Sequence, residues 1–153
     1  MADSIQRIVV RIQVGSDRLA ATDDPVFLGL RGPTGREFRL RLARGKSLRR
    51  GAEERYVFGA PNDGQTNVAS PELNDPTSPP LASEQVTGVY LRKRQEPIPN
   101  VRGVGELDDR LQLDSVEVLL EGDSGARCFR RQGPVWLGLA CGMSLDLPCA
   151  DGS

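Results

Sequence analysis

Apolar and polar residues alternate in several short stretches of the chain. The first is RIVVRIQV at residues 7–14, where Ile8, Val10, Ile12 and Val14 share one side of an extended chain. A period of two predicts a β-strand with one face on a core and the other in solvent. Further stretches with strand character are VFLGLRG, REFRLRLA, RYVFGAP, QVTGVYLRKR, LQLDSVEVLL, ARCFRR and PVWLG. No stretch predicts a convincing helix, so we expect seven or eight short strands.

Two local details refine this strand pattern. GPTG at residues 32–35 joins the second and third stretches, and a short Gly/Pro turn between two strands predicts a β-hairpin. In LQLDSVEVLL the apolar positions change parity between Leu113 and Val116. A bulge near Asp114-Ser115 would turn all of these apolar side chains towards the same core.

Short strands separated by turns predict an all-β fold, which is an antiparallel sandwich or a barrel. The length of 153 residues suggests a single domain, which we place at residues 1–140. Residues 62–84 are dense in Pro, Asn, Asp and Ser, and they predict a long surface loop or a partly disordered insertion in this domain. Residues 141–153 form a C-terminal tail that we expect to pack back on the body of the domain.

Charge and composition narrow the classes of function. The net charge of −1 argues against general attraction to nucleic acid or acidic lipid, so such binding would need a local patch. Aromatic residues make up only 5% of the chain, which leaves little for base stacking, and we expect no nucleic-acid partner. The chain has no histidine, so the commonest general base and the imidazole metal sites are absent. No pattern indicates catalysis by paired carboxylates or lysine, and we expect no enzymatic activity.

The cysteines and the chain start bear on the compartment. Cys128, Cys141 and Cys149 are an odd number clustered late in the chain, which does not predict a secreted disulfide framework. Thiols in a reducing compartment are favoured over a Cys141–Cys149 disulfide or a three-thiolate zinc site. Residues 1–6 lack the basic start and apolar run of a signal peptide, and no stretch is long enough to span a bilayer. We therefore expect a cytoplasmic protein that can bind peripherally to a membrane.

Four motifs resemble the polycystin–lipoxygenase–alpha-toxin (PLAT) domain family. TDDPVFLGLRGPTG resembles the opening of that domain, LRRGAEERYVFGAP its next stretch, LQLDSVEV a later strand and ARCFRRQGPVWLG its closing strands. The matching residues are Thr22, Asp23, Val26, Leu30, Gly32, Gly35, Arg50, Gly51, Glu54, Tyr56, Phe58, Leu113, Val116, Val118, Phe129, Trp136 and Leu137. The motifs occur in the family's order over residues 5–60 and 86–138. Two features depart from the family: Leu111 stands where a membrane-touching Trp is common, and the 62–84 stretch is longer than usual.

The resemblance implies an antiparallel eight-stranded β-sandwich and a non-catalytic module that docks on membranes, lipids or proteins, sometimes with calcium. Asp23 and Asp24 lie in one predicted loop, and Asp108 and Asp109 lie in another. PLAT loops of this kind can gather at one end of the sandwich, and calcium takes its oxygen ligands from flexible loops. These four residues are therefore candidate calcium ligands. The alternative is that aspartates simply favour turns and caps.

Arginines recur at the positions of the predicted strands whose side chains face solvent. They are Arg7, Arg11, Arg39, Arg41, Arg92 and Arg94. If these strands share a sheet, the sheet presents a basic face, and arginine binds carboxylate and phosphate with two parallel hydrogen bonds. We single out Arg39, Arg41, Arg92 and Arg94 as candidates for binding an anionic surface or a protein partner. The alternative is a solvated face on which arginine prevents edge pairing.

Two hypotheses about function follow from these observations. The first is a PLAT-like binding module that docks on a membrane, a lipid surface or a protein partner, with calcium as the candidate cofactor. The second is a stand-alone structural subunit that forms homo- or hetero-oligomers through its long loop and tail, without lipid binding. Calcium-dependent lipid binding would favour the first, and a lipid-independent oligomer would favour the second.

Overall fold

Two antiparallel sheets of four strands each make up the fold. A computed structural model describes residues 4–17, 25–33, 35–45, 48–59, 66–94, 111–123, 125–138 and 142–150. Their strands are β1 (Ile5–Val14), β2 (Val26–Arg31), β3 (Arg36–Arg39), β4 (Glu53–Phe58), β5 (Gly88–Lys93), β6 (Leu111–Gly122), β7 (Ala126–Leu137) and β8 (Ser144–Leu147), with one 3₁₀ turn at Ser83–Gln85. The first sheet has the order β4-β1-β6-β7 and the second has the order β3-β2-β5-β8. The predicted eight-stranded β-sandwich is confirmed.

The core lies between the inward faces of the two sheets. Ile8, Val10 and Ile12 of β1 are all 0% exposed, as their alternation predicts. Phe38 of the second sheet contacts Phe58 of the first, with ring centroids 5.5 Å apart. Burying a large apolar side chain contributes roughly 1.5–3 kcal/mol to stability. Because neighbouring side chains on a strand point in opposite directions, this core also determines which residues face solvent.

The predicted bulge in β6 is present at Asp114. In the pairing of β6 with β1 the register passes from Ser115 to Leu113, and Asp114 is skipped. A register shift occurs at the same place in the pairing with β7. Leu113 and Val116 are consequently both 1% exposed, although their parity in the sequence differs.

The closing strands differ from their prediction. ARCFRR and PVWLG form one continuous strand, β7, instead of two strands around a QGP turn. The QGP stretch stays within the strand because β7 follows β6 along nearly its whole length, as far as the pairing of Leu137 with Leu111. The eighth strand is β8, which comes from the predicted tail. It pairs with β5 and buries Leu145 and Leu147.

Residues 66–84 follow a defined path along the sandwich, although their composition predicts a loose excursion. Val68 and Leu81 are buried in the core and anchor the segment at two points. Between them, the guanidinium of Arg36 donates hydrogen bonds to the backbone oxygens of Leu73, Asp75 and Ser78. Val68 and Leu81 are isolated apolar residues without periodicity, so alternation along the chain does not predict that they are buried.

Asn74 joins this segment to the edge of β3. Its side-chain oxygen accepts a hydrogen bond of 3.0 Å from the backbone N–H of Arg39, and its amide donates to the Ser70 oxygen at 3.0 Å. Asn74 is 9% exposed, so water cannot easily replace these bonds. The adjacent Leu73 is 78% exposed.

Asn74→Ala should lower the free energy of unfolding by about 1 kcal/mol, because it leaves the partly buried N–H of Arg39 without its acceptor. Urea denaturation measures this directly. The control is Leu73→Ala at the next position, which should change stability by less than about 0.5 kcal/mol. Equal effects of the two substitutions would show that the segment is not attached through Asn74.

Candidate functional site: an arginine face on the second sheet

The register of the second sheet brings charged and aromatic residues together on its outer surface. β2 and β3 form the predicted hairpin, and β5 lies on the other side of β2. Phe27 of β2 lies between Arg39 and Arg92 in one row across the strands. In the next outward row, Gly29 lies between Glu37 and Tyr90. We call this surface the arginine face, and it comprises Phe27, Arg31, Glu37, Arg39, Arg41, Tyr90, Arg92, Arg94 and Asp146.

Glu37 is the central acceptor of the arginine face. Its two carboxylate oxygens accept hydrogen bonds of 2.8 Å from Nε and from a terminal nitrogen of Arg92. The same carboxylate accepts a 2.7 Å hydrogen bond from the hydroxyl of Tyr90. This fork-to-fork pairing fixes the plane of the Arg92 guanidinium, because two parallel bonds allow only one orientation.

Gly29 makes room for the Tyr90 ring. A Cβ atom at Gly29 would overlap that ring, so the absence of a side chain lets Tyr90 cross β2 and reach Glu37 on β3. Glycine in a strand interior often marks such a close approach. The hydrogen bond between β5 and β3 therefore depends on a glycine in the strand between them.

Arginines also stack on both aromatic rings of the face. The guanidinium carbon of Arg92 lies 4.6 Å from the centroid of Phe27, and that of Arg94 lies 6.0 Å from the same centroid. Arg31 lies 4.4 Å from the centroid of Tyr90 and forms a 3.1 Å ion pair with Asp146 of β8. Such contacts hold cations over ring faces and contribute about 0.5–1 kcal/mol each at exposed positions.

The hydrogen bonds of Glu37 shift the acidity of the network. The Arg92 hydrogen bond is the main cause that holds the pKa of Glu37 below its usual range, against desolvation. Burial is the main cause that raises the pKa of Tyr90, and its hydrogen bond to Glu37 adds to this. The Glu37 hydrogen bond likewise raises the pKa of Arg92. Arg92 therefore stays charged and Tyr90 stays neutral at physiological pH.

Positive charge exceeds negative charge on the arginine face. Five arginines share it with two carboxylates, Glu37 and Asp146, which leaves an excess of three positive charges. Arg39 and Arg41 are exposed, and their side chains form no hydrogen bond or ion pair within the described part of the chain. Part of the excess positive charge is thus carried by Arg39 and Arg41, which are exposed to solvent.

The four arginines singled out from sequence have different environments. Arg39 and Arg92 flank Phe27, Arg94 lies over the same ring, and Arg41 is exposed beyond the end of β3. The arginine-bearing strands do not all share one sheet. Arg7 and Arg11 lie on β1, which belongs to the first sheet because its apolar phase packs between β4 and β6.

Sequence reasoning does not identify Phe27, Glu37 or Tyr90 as parts of this network. Glu37 shares the phase of Arg39 and Tyr90 shares the phase of Arg92, so a signal is present. This shared phase identifies the contact of Glu37 with Tyr90 and Arg92 only when β2 is known to lie between β3 and β5.

The candidate calcium ligands Asp23, Asp24, Asp108 and Asp109 lie outside the described residues. Within the described ranges, no group of three or more Cys, Asp or Glu side chains is arranged to hold a metal ion. Cys141 also lies outside these ranges, while Cys128 is half-buried and Cys149 is exposed, and neither forms a disulfide. No helix in the described part is long and apolar enough to cross a membrane.

Solved structures share the fold at low sequence identity. No family model and no curated protein matches the sequence. The alpha-toxin from an avian strain of Clostridium perfringens aligns over 95% of this chain and 32% of its own, with a TM-score of 0.63 and 15% identity. The alpha toxin of Clostridium absonum gives the same coverage and identity with a TM-score of 0.62. Coral 8R-lipoxygenase, whose structure was described in terms of calcium activation via a C2-like domain, aligns over 94% of this chain and 17% of its own, with a TM-score of 0.56 and 13% identity.

This chain has their β-sandwich fold. It spans about a third of each toxin chain and about a sixth of the lipoxygenase chain. At these identities the likeness concerns the fold alone.

Glu37→Gln should reduce the loss of stability on acidification. The folded-state pKa of Glu37 lies below its unfolded value of about 4.3, so its ionised form stabilises the fold above that pH and this contribution is lost as the pH falls further. We expect the difference in unfolding free energy between pH 6 and pH 3 to shrink by about 0.5–1 kcal/mol, because solvent screens a partly exposed pair. Urea titrations at both pH values measure it.

The control for this titration is Glu72→Gln, at an exposed glutamate outside the arginine face. It should leave the pH dependence of stability unchanged. A Glu37→Gln variant with the same pH dependence as the unmodified protein would contradict the assignment of Glu37 as the acceptor that orients Arg92.

Proposed function

We propose that this chain is a non-catalytic binding module that docks on an anionic lipid surface through its arginine face. The observation that carries the proposal is the pair Arg39 and Arg41. Both are exposed and without an acid partner in the described part of the chain, and Arg39 lies opposite Phe27, whose ring supports two further arginines. A basic residue near an anionic membrane contributes about 1 kcal/mol to binding.

Docking on this face is electrostatic and needs no inserted apolar side chain. Leu111, at the position where PLAT domains often carry a membrane-touching Trp, is 0% exposed and pairs with Leu137 inside the sandwich. Phe27 is half-buried beneath guanidinium groups. Binding of this kind weakens as salt screens the charges, because the Debye length is about 8 Å at physiological ionic strength.

Reversing the charge of Arg39 and Arg41 together should abolish most of the binding to anionic vesicles. Co-sedimentation with phosphatidylcholine vesicles containing phosphatidylserine should show an affinity at least about tenfold lower for the Arg39→Glu, Arg41→Glu double variant. Arg92 is left intact, because a glutamate at that position would repel Glu37 and disturb the sheet.

The matched control substitutes arginines that lie off this face. Arg50→Glu with Arg131→Glu makes the same change in net charge at an exposed turn and on the exposed edge strand β7. These controls should retain most of the affinity, and vesicles of pure phosphatidylcholine should bind none of the proteins. Equal losses for both double variants would show that net charge, and not the arginine face, determines binding.

We also propose that calcium contributes at one end of the sandwich, with Asp23, Asp24, Asp108 and Asp109 as its ligands. The proposal is supported by the strand pairing, since Val14, where the first connection starts, pairs with Leu113 beyond the end of the second, and Val26, where the first ends, pairs with Lys93, where the second starts. The calcium activation via a C2-like domain that is described for coral 8R-lipoxygenase supports calcium at a coarse level.

Calorimetric titration with calcium should detect weak binding, with a Kd of about 10⁻⁴–10⁻³ M, the weak end of the range for protein calcium sites. Asp23→Asn with Asp108→Asn should remove the heat of binding. The variant Glu72→Gln removes a carboxylate elsewhere and should not affect it. Absence of calcium binding to the unmodified protein would overturn the metal site and leave the arginine face as the docking surface.

A protein-assembly role is the second candidate function. Leu73, at 78% exposure, is the large apolar side chain most exposed among the described residues, and the Arg36 hydrogen bonds fix its position. A fixed apolar side chain can anchor a partner. Two observations together would favour this role over lipid docking. The protein would form a concentration-dependent oligomer that Leu73→Asp dissociates, and it would not bind vesicles.

A further inference from the structure

The outer face of the first sheet carries a separate polar cleft, which we call the outer cleft. Its volume is about 230 Å³, and side chains of β1, β4, β6 and β7 line it. They include Arg11, Gln13, Glu53, Ser115, Glu117 and Arg130. Because the two sheets pack with their inner faces together, this cleft faces away from the arginine face.

Two arginines oppose each other directly beside the outer cleft. Arg11 of β1 pairs in register with Arg55 of β4 on one side and with Glu117 of β6 on the other. Glu117 is already in a 3.3 Å ion pair with Arg130. Arg11 and Arg55 are both exposed, and their side chains form no hydrogen bond or ion pair with any described residue. Like charges directly opposite on neighbouring strands destabilise a sheet, so an oxyanion between them would be stabilising.

A carboxylate of opposite charge stands close to this arginine pair. Glu53 lies opposite Gln13, which makes it the diagonal neighbour of Arg11 across the β1–β4 ladder. Glu53 is exposed and forms no ion pair in the described ranges. Diagonal positions are about 7–8 Å apart, within reach of long side chains, yet Arg11 and Glu53 form no ion pair in the described structure, so a ligand can bridge them. The outer cleft thus has two charged groups without ion pairs in the described ranges: a positive pole, formed by Arg11 and Arg55, and a negative pole, formed by Glu53.

Several simpler ligands match these charges less well. A plain dianion such as inorganic phosphate would meet repulsion from Glu53 and Glu117 in the same cleft. A quaternary ammonium group is normally held by aromatic rings, and none of the lining residues is aromatic. An α-amino acid carries its ammonium and carboxylate groups on one carbon, and the distance between these groups is too short to span the diagonal from Arg11 to Glu53. Gln13 and Ser115 offer neutral hydrogen-bonding groups between the poles.

We propose that the outer cleft binds a zwitterion with an oxyanion and a primary ammonium group separated by a short chain, of the phosphoethanolamine type. Arg11 and Arg55 bind the phosphate oxygens, and Glu53 accepts hydrogen bonds from the ammonium group. The ligand is a soluble phosphoethanolamine compound or the same group on a lipid. This proposal does not rest on lipid docking by the arginine face, since the two surfaces point in opposite directions.

Calorimetric titration with O-phosphoethanolamine tests the proposal, with phosphocholine and inorganic phosphate as comparison ligands. O-phosphoethanolamine should bind about tenfold more tightly than either of them, because only it engages both poles. Glu53→Gln should remove this preference without weakening inorganic phosphate, and Arg55→Gln should weaken all three ligands. Arg131→Gln, on the same sheet but outside the cleft, is the control and should change nothing.

Either of two kinds of result, a lost preference or binding that is absent or independent of these residues, would overturn the proposal. One is equal binding of O-phosphoethanolamine and inorganic phosphate, which would mean that Glu53 recognises no ammonium group. The other is an O-phosphoethanolamine affinity that neither Glu53→Gln nor Arg55→Gln alters, or no binding at all. Phosphatidylethanolamine vesicles then identify the source of the group: competition with the soluble compound indicates a lipid, and absence of competition indicates a soluble ligand.

Discussion

Burial of every second side chain between two packed sheets is the constraint on which the rest of this structure depends. Once Ile8, Val10 and Ile12 are fixed in the core, their neighbours on β1 must face outward, and the same holds on every strand. The arginines therefore lie on two outer surfaces because of the apolar residues between them. The charge pattern is a consequence of the core, and any change of strand register would exchange the two sets.

The arginine face is ordered by cross-strand contacts. Glu37 on β3 holds Arg92 and Tyr90 of β5, and Gly29 on the intervening strand leaves space for that contact. Arg92 in turn lies over Phe27. This pairing neutralises part of the charge and preorganises Arg92, while Arg39 and Arg41 project beside it as exposed cations. Preorganised cations lose less conformational entropy when they bind an anionic surface.

The strands, the bulge at Asp114 and the outward phase of Arg39 and Arg92 can all be predicted from alternation along the chain. Strand neighbours cannot, because pairing across a sheet depends on tertiary packing that no single strand encodes. For this reason the sequence pattern groups Arg11 with the other arginines, although it lies on the first sheet opposite Arg55. The partnership of Glu37 with Arg92 and the diagonal of Arg11 and Glu53 both depend on register between strands distant in sequence.

We propose that the arginine face, and not the opposite face, meets an anionic membrane. Paramagnetic relaxation enhancement measures this directly, with gadolinium-labelled lipid in nanodiscs of phosphatidylcholine and phosphatidylserine and backbone amide signals observed by NMR. We expect strong broadening at Phe27, Arg39 and Arg92 and little at Arg11 or Arg130. Broadening confined to Arg11 and Arg130, or spread evenly over both sheets, would contradict it.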